Sequence, residues 1–324
     1  MSATSISDPY DALLSATFPY RMKQLWDQIT VGLLLFKWMD AGKNKRTGYH
    51  GHRLEFPVLY ELNDTVGRRG AYDTFELQAQ EGITIGYVSW KDLSGDVVIA
   101  DEEMDKCSGK EQVFSLEDAK VMQLKEALMS TLNSDMFSTG AASNQINGLQ
   151  YWFTTSTGTV AGIDDAVNTW WGNQSSTSAG SFASNGRDKM RTMYNNCARG
   201  FNEDTPTHVL TTQAVYEAFE KTMDSAERLT VAASGPSSVN VGPKKITFKD
   251  MEIGWDAACP SGYMYFLNMK NKMLQWNILA GNDFKSTPFV RPANQRTRAA
   301  LWTIKGNVTC TARRRFGVIT GFTA

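Results

Sequence analysis

The segment FSLEDAKVMQLKEALMSTLNSDMF, residues 114–137, decides the fold because it predicts one helix long enough to act as a structural spine. Ser115, followed three residues later by Asp118, is close to a capping box and marks the helix start. At 1.5 Å per residue such a helix is more than about 30 Å long. Its apolar residues recur at helical spacing and form one stripe: Val121, Leu124, Leu128 and Leu132.

The region before this helix alternates apolar and polar residues with the period of a β-strand. The alternating stretches are RLEFPVLY (53–60), TFELQAQ (74–80) and ITIGYVSW (83–90), and the polar NDTVGRRGAYD (63–73) separates the first two. This pattern predicts a long two-stranded excursion built from the first pair. Because an isolated hairpin is only marginally stable in water, we expect the excursion to pack on a neighbour.

The rest of the chain mixes both periodicities and predicts an α+β or α/β core, and we take α+β as the fold class of the whole chain. Residues 184–201 and 213–223 are typical of helices, whereas 207–212, 244–254 and 262–268 are typical of strands. Near the C-terminus, the dipeptide Gly306-Asn307 interrupts an alternating stretch and predicts a hairpin turn. At the other end, residues 1–48 predict a helical arm with apolar residues at helical spacing, namely Leu25, Trp26, Ile29, Leu33 and Phe36.

Charge is nearly balanced over the 324 residues, with a formal net charge of −1, so the whole chain has no general attraction for nucleic acid or membranes. The distribution is uneven, since no Asp or Glu follows Asp283 while GDVVIADEEMDK (95–106) is rich in acids. Opposed blocks of charge suit contacts between copies of one protein. Two solvated faces explain the same pattern equally well.

The stretch AGIDDAVNTWW, residues 161–171, contains the most enzyme-like feature, the adjacent carboxylates Asp164 and Asp165. Neighbouring residues on a helix point about 100° apart, which argues against a catalytic pair. We therefore predict that Asp164 caps a helix DAVNTWW, and we predict no enzyme, no metal site and no cofactor. The pair His50 and His52 lacks a third ligand nearby, and the four scattered cysteines are typical of free, buried thiols.

Two basic clusters, KNKR (43–46) and RRR (313–315), predict weak, non-specific contact with phosphate backbones. The longest apolar run, residues 29–39, is shorter than the roughly 20 residues of a membrane-spanning helix, so we expect no membrane association. The first ten residues lack the basic and apolar regions of a secretory signal, and we expect synthesis and use in the cytoplasm.

Several of these segments resemble the major capsid proteins of tailed bacteriophages. The similarity includes residues 115–140, INGLQYWFTTSTGTVAGIDDAVNTWWGN (146–173), GYMYFLNMKNKMLQW (262–276) and KGNVTCTARRRFGVITGF (305–322). It extends in order and motif from about Leu54 to the C-terminus. The resemblance implies an N-terminal arm (1–48), an extended E-loop (49–111), a peripheral domain (112–140 with 285–324) and an axial domain (141–284).

The same resemblance implies self-assembly into hexamers and pentamers that close an icosahedral head around double-stranded DNA. The E-loop then lies over the adjacent subunit, its tip is Val66 to Ala71, and Arg68 and Arg69 are its candidate contacts. We expect these arginines to pair with acids of a neighbour such as Asp101, Glu102 and Glu103. Expected partners also include a separate scaffolding protein, a portal and decoration proteins, and the expected location is the virion.

Two other functions compete with this one. A cargo-enclosing bacterial nanocompartment has the same fold and differs in what its shell contains. An enzyme that uses Asp164 and Asp165 as an acidic pair is the alternative from outside the shell proteins.

Overall fold

The computed structural model describes residues 33–72, 74, 79–106, 116–177, 179–200, 203–227, 247–292 and 294–323. Several predictions fall outside these residues. They include most of the helical arm, the cap at Ser115, the centre of the strand expected at residues 74–80 and the buried thiol of Cys107.

The longest described helix is the predicted spine, which is confirmed as Leu116–Met136. Leu128 and Leu132 are buried, and Val121 and Leu124 pack against the same apolar cluster as Leu128, so the predicted stripe faces a core. The six helices of the described residues are α1 Leu34–Ala41, α2 Asp101–Lys106, α3 Leu116–Met136, α4 Leu149–Trp152, α5 Phe182–Cys197 and α6 Gln213–Glu227.

The strands form two larger sheets and three two-stranded ones. In chain order they are β1 Lys45–Tyr49, β2 Arg53–Leu59, β3 Ile83–Ser89, β4 Lys91–Ala100, β5 Thr159–Val160, β6 Ile163–Asp164, β7 Gln174–Ser176, β8 Gly180–Ser181, β9 His208–Thr211, β10 Thr247–Phe248, β11 Met251–Trp255, β12 Met264–Leu267, β13 Leu274–Leu279, β14 Lys285–Ser286, β15 Thr297–Cys310, β16 Gly317–Ile319 and β17 Phe322–Thr323.

The first sheet has five strands and is organised around β15. Four of them follow the order β1-β13-β15-β14, and β4 pairs with β15 as well. β15 pairs antiparallel with β4 from Thr297↔Ala100 to Gly306↔Lys91, and its C-terminal part pairs with β13. The spine α3 packs against β4, and the contact buries Val97 and Ile99 of β4 beneath Leu128 of the helix.

The predicted hairpin turn at Gly306-Asn307 is wrong, because both residues lie within the continuous strand β15. Glycine is needed at position 306 for close approach, since a Cβ atom there would lie 2.7 Å from the carbonyl oxygen of Asn277. The buried Asn307 side chain donates to the Ser89 carbonyl (2.7 Å) and accepts from the Asn147 N–H (3.0 Å). These long-range bonds give the asparagine a role that a turn would not need.

The second sheet has six strands in the order β10-β11-β9-β12-β16-β7. The single strand predicted at residues 244–254 is wrong, because its described part forms the antiparallel pair β10 and β11, with Lys249 and Asp250 in the turn at positive φ. β9 and β12 confirm two of the predicted strands, and α5 and α6 match the two predicted helices. These helices cover the sheet with a core that includes Met190, Phe219 and Phe266. The chain returns to this sheet near its C-terminus, where β16 lies between β12 and β7.

The excursion comprises β2, β3 and residues 60–82 between them. β2 pairs antiparallel with β3, from Arg53↔Ser89 to Leu59↔Ile83, so its partner is not the strand predicted at residues 74–80. The buried face contains Leu54, Phe56 and Val58, as the alternation predicted. Much of the opposite face of the hairpin is open to solvent, where Leu59, Ile83 and Ile85 are exposed.

Candidate subunit-interaction site

The stretch AGIDDAVNTWW lies at the base of the excursion and contacts it directly. β5 and β6 form a short hairpin whose turn contains Ala161 and Gly162, both with positive φ. The Tyr87 N–H of β3 donates to the Ala161 carbonyl at 3.0 Å. Gly162 adopts φ +81° under the Tyr87 ring, where a Cβ atom would collide with the ring. A glycine therefore permits the close contact between this hairpin and the excursion.

The predicted helix DAVNTWW does not form, and this corrects the helix-cap role given to Asp164. Asp164 ends β6, residues 165–167 form a turn, and only Thr169–Trp171 make one 3₁₀ turn. The Asp164 carboxylate accepts from the Ala166 N–H at 2.9 Å, so it stabilises a turn instead. The Trp171 indole is buried and donates to the Val160 carbonyl at 3.0 Å, which holds the segment back against β5.

Asp165 has a structural role that sequence reasoning missed. Its side chain is buried, one oxygen accepts from the Gly158 N–H (2.6 Å), and the other lies 3.2 Å from Nη1 of Arg313. Asp164 and Asp165 thus have different partners in different surroundings. They do not share the pocket that an acidic catalytic pair would need.

Arg313 is fully buried and gathers several polar groups of the segment 152–173. Its Nε donates to the Trp152 carbonyl (2.7 Å), and its Nη2 donates to Asn173 Oδ1 (3.1 Å). The guanidinium also lies over the Trp171 ring, 5.6 Å from the centroid. Burial lowers the pKa of Arg313, and the Asp165 carboxylate opposes that effect. Arg313 is therefore unavailable for phosphate, which corrects its place in the predicted basic cluster, whereas Arg314 remains exposed.

A groove of about 690 Å³ lies between the excursion and the AGIDDAVNTWW segment, beside their direct contacts. The Tyr60 and Trp170 rings stack beside it, with centroids 5.0 Å apart and planes 17° apart. Glu81 and Asp164 are the acidic residues among those described that line it, and none of the described lining residues is a lysine or an arginine. The groove combines aromatic and acidic surface.

The excursion carries a concentration of exposed apolar side chains. Ile83 is 69% exposed and Ile85 57% exposed, and both project from β3 on the face opposite the buried one. Exposed apolar patches of this kind mark interaction surfaces in soluble proteins. The large exposed apolar residues of the excursion are Leu59, Tyr60, Leu62, Val66, Tyr72, Ile83, Ile85 and Tyr87.

The arginines and the acids that were predicted to pair between subunits lie in different elements, the arginines in the excursion and the acids on α2. Arg68 and Arg69 are exposed in the segment between β2 and β3, and Arg69 donates to the Thr65 carbonyl at 3.1 Å.

The three predicted acids lie together on α2, and each has a cation within its own chain. Asp101 is bonded by Arg291 and lies 3.5 Å from Arg298, while Glu102 and Glu103 each lie 2.6 Å from a lysine, Lys106 and Lys120 respectively. Lys106 lowers the pKa of Glu102. Any contact of these acids with a neighbouring copy would therefore compete with pairs already formed.

The described part of the chain contains neither of two other kinds of site, a metal site and a membrane-spanning helix. No group of three or more His, Cys, Asp or Glu residues there could hold a metal ion. Among the same residues, no helix has the length and apolar character needed to cross a membrane. Cys197, Cys259 and Cys310 are free and buried, as predicted, and Cys107 lies outside the described residues.

Comparisons with known proteins show which solved structures have a similar fold. No protein-family model and no curated protein matches the chain. A chain of the cyanophage A-1(L) capsid asymmetric unit matches at a TM-score of 0.73 and 15% identity, over 94% of this chain and 96% of that one. The capsid of the native GTA particle matches at 0.63 and 12% identity, over 100% and 99% of the two chains.

The holo-SrpI encapsulin complex from Synechococcus elongatus PCC 7942 matches at a TM-score of 0.57 and 8% identity, over 92% of both chains. The α+β arrangement predicted from the sequence is therefore confirmed over nearly the whole length of these shell proteins. At such low identities the similarity concerns architecture. The chain has the α+β fold of the tailed-phage capsid proteins.

Proposed function

We propose that this protein is the major capsid protein of a tailed-phage head, which assembles as hexamers and pentamers into an icosahedral shell around double-stranded DNA. The observation that supports this most directly is the excursion, whose second face leaves Ile83 and Ile85 open to solvent. A neighbouring subunit that covers this face would remove apolar surface from water at each contact. Many such contacts close a shell because several neighbours hold each subunit at once.

The proposed division of the chain keeps the boundaries that the resemblance implies: arm 1–48, E-loop 49–111, peripheral domain 112–140 with 285–324, and axial domain 141–284. In this scheme the excursion is the core of the E-loop, and the sheet around β15 with the spine α3 forms most of the peripheral domain. The remaining partners are a separate scaffolding protein, a portal, decoration proteins and packaged DNA bound without sequence specificity. The head assembles in the host cytoplasm and becomes part of the virion.

Expression of the chain with and without its scaffolding partner tests the proposal. Electron microscopy should show closed shells, and purified native particles should contain nuclease-protected double-stranded DNA. Subunits that stay monomeric under all assembly conditions would contradict the proposal.

The nanocompartment is the second candidate, and the similarity to the holo-SrpI encapsulin complex favours it. The contents of particles isolated from the native source separate the two functions. A shell that contains a co-purifying enzyme and no protected DNA would support the nanocompartment.

We also propose a contact made by the tip of the E-loop. In it, Arg68 and Arg69 pair with acidic residues of a neighbouring subunit, and the candidates are Asp101, Glu102 and Glu103. The double variant Arg68→Glu/Arg69→Glu should fold normally, because both side chains are exposed, and should fail to form shells. Shells of normal yield and stability from this variant would exclude the contact.

A further inference from the structure

We propose that the groove at the base of the excursion receives Arg296 of a second copy of this chain. The inference rests on the proposed shell function and names one contact within it. The groove differs from the exposed apolar face of the excursion because its lining combines carboxylates with stacked aromatic rings.

The lining of the groove is suited to a cationic side chain with an apolar stem. Glu81 is exposed and Asp164 is half-buried, and neither carboxylate forms an ion pair with another described residue. The Tyr60–Trp170 stack supplies aromatic surface, which attracts cations. Val167 and Ile83 add exposed apolar surface at the rim. A planar guanidinium matches this combination because it binds carboxylates and packs on aromatic rings.

Arg296 has the matching properties. It belongs to the basic C-terminal region, in which no acid follows Asp283, and its side chain is exposed. The neighbouring Arg291 and Arg298 are both held by Asp101, whereas no ion pair engages Arg296 among the described residues. Nearby, Val290 is 60% exposed and is held in place by its bridge to Ala299. This surface therefore presents one uncommitted cation beside an apolar side chain.

The groove and Arg296 of one chain lie too far apart to meet. Arg296 immediately precedes β15, and Arg313, which holds the groove segment through Asp165, follows the other end of the same strand. A strand of 14 residues spans more than about 40 Å at roughly 3.3 Å per residue. The contact therefore requires a second copy of the chain.

The test exchanges the two charges. Arg296→Glu and Glu81→Arg each place like charges in the contact, and each should raise the protein concentration needed for half-maximal assembly by about tenfold or more. The double variant restores opposite charges and should assemble within about twofold of the wild type. Light scattering and electron microscopy measure the assembly.

Two further variants complete the design. Asp164→Asn retains an acceptor for the Ala166 N–H, and loss of its charge should weaken assembly while the subunit stays folded. Lys221→Glu reverses an exposed charge on α6 and should behave as the wild type.

The inference is overturned if both single variants assemble as the wild type, if the double variant shows no recovery, or if Lys221→Glu impairs assembly equally. Failure of the wild-type chain to form shells would instead refute the proposed function itself.

Discussion

Arg313 and Asp165 form a fully desolvated ion pair that joins the C-terminal segment to the base of the excursion, with Nη1 and Oδ2 3.2 Å apart. The two residues are separated by 148 positions in the sequence. Asp165 joins the turn after β6 to Gly158, which precedes β5, and Arg313 binds the carbonyl of Trp152 at the end of α4. One buried pair therefore fixes two loops at once.

Arg313→Met should destabilise the subunit by about 3–5 kcal/mol, because Asp165 would remain buried without its cation. Adding Asp165→Asn removes the unpaired charge and keeps an acceptor for the Gly158 N–H, so the double variant should recover more than about 1 kcal/mol. Urea unfolding of the unassembled subunit measures both values. Arg314→Met, at an exposed neighbouring arginine, is the matched control and should change stability by less than about 0.5 kcal/mol.

Asp164→Ala and Asp165→Ala should differ strongly although the residues are adjacent. Asp164 contributes one hydrogen bond to a turn, so its loss should cost about 1 kcal/mol or less. Asp165→Ala leaves Arg313 buried and unpaired and should cost about 3 kcal/mol or more. Equal effects in denaturant unfolding would contradict the separate environments of the two carboxylates.

Ile85→Lys should leave the isolated subunit as stable as the wild type, because the side chain is mostly exposed, and should abolish assembly. Phe56→Ala, on the buried face of the same hairpin, should instead destabilise the subunit by about 3–5 kcal/mol. Thermal unfolding followed by light scattering distinguishes the two effects. Normal shells from Ile85→Lys would show that this face has no role in subunit contact.

The buried thiols should be unreactive in the native subunit. Burial raises the pKa of Cys197 and of Cys310 to about 12, and burial also raises that of Cys259. At pH 8 a disulfide reagent should therefore modify these three thiols only after unfolding. A Cys107→Ser background removes the remaining thiol, and rapid reaction of the folded variant would contradict the burial.

The same raised pKa values predict a loss of stability in alkaline solution. The unfolded thiols ionise first, near their ordinary pKa of about 8.5, while the folded thiols stay protonated. Their contribution to stability is thus complete below that pH and declines as the pH rises toward 12. Urea unfolding between pH 7.5 and roughly 10 measures the decline, which should be smaller in a Cys197→Ala variant.

Periodicity predicted the elements whose contacts are local or repeat along one face. The spine stripe and the alternation of Leu54, Phe56 and Val58 are of this kind, because burial of one face determines both patterns. The helices α5 and α6 and the strands β9 and β12 were predicted from the same kind of pattern. The resemblance to capsid proteins implied the fold that combines these elements, and that fold is confirmed.

The errors came from residues whose partners are distant in the chain. Gly306 and Asn307 form a common turn dipeptide, yet their roles depend on Asn277, Asn147 and Ser89. The helix expected after Asp164 does not form, because Trp171 and Asp165 make contacts with other segments of the chain, namely with Val160, Gly158 and Arg313. No local pattern distinguishes Arg313 from Arg314, because only the folded chain provides the acid that pairs with the first.

The pairing of β4 with β15 has a mechanical consequence. Ten consecutive residue pairs join these strands along their length, and the spine α3 packs against β4. Tension applied parallel to the strands loads all of these hydrogen bonds together, whereas tension across them would separate the bonds one after another. The subunit should therefore resist stretching far better along β15 than across it, a property that would suit the proposed shell.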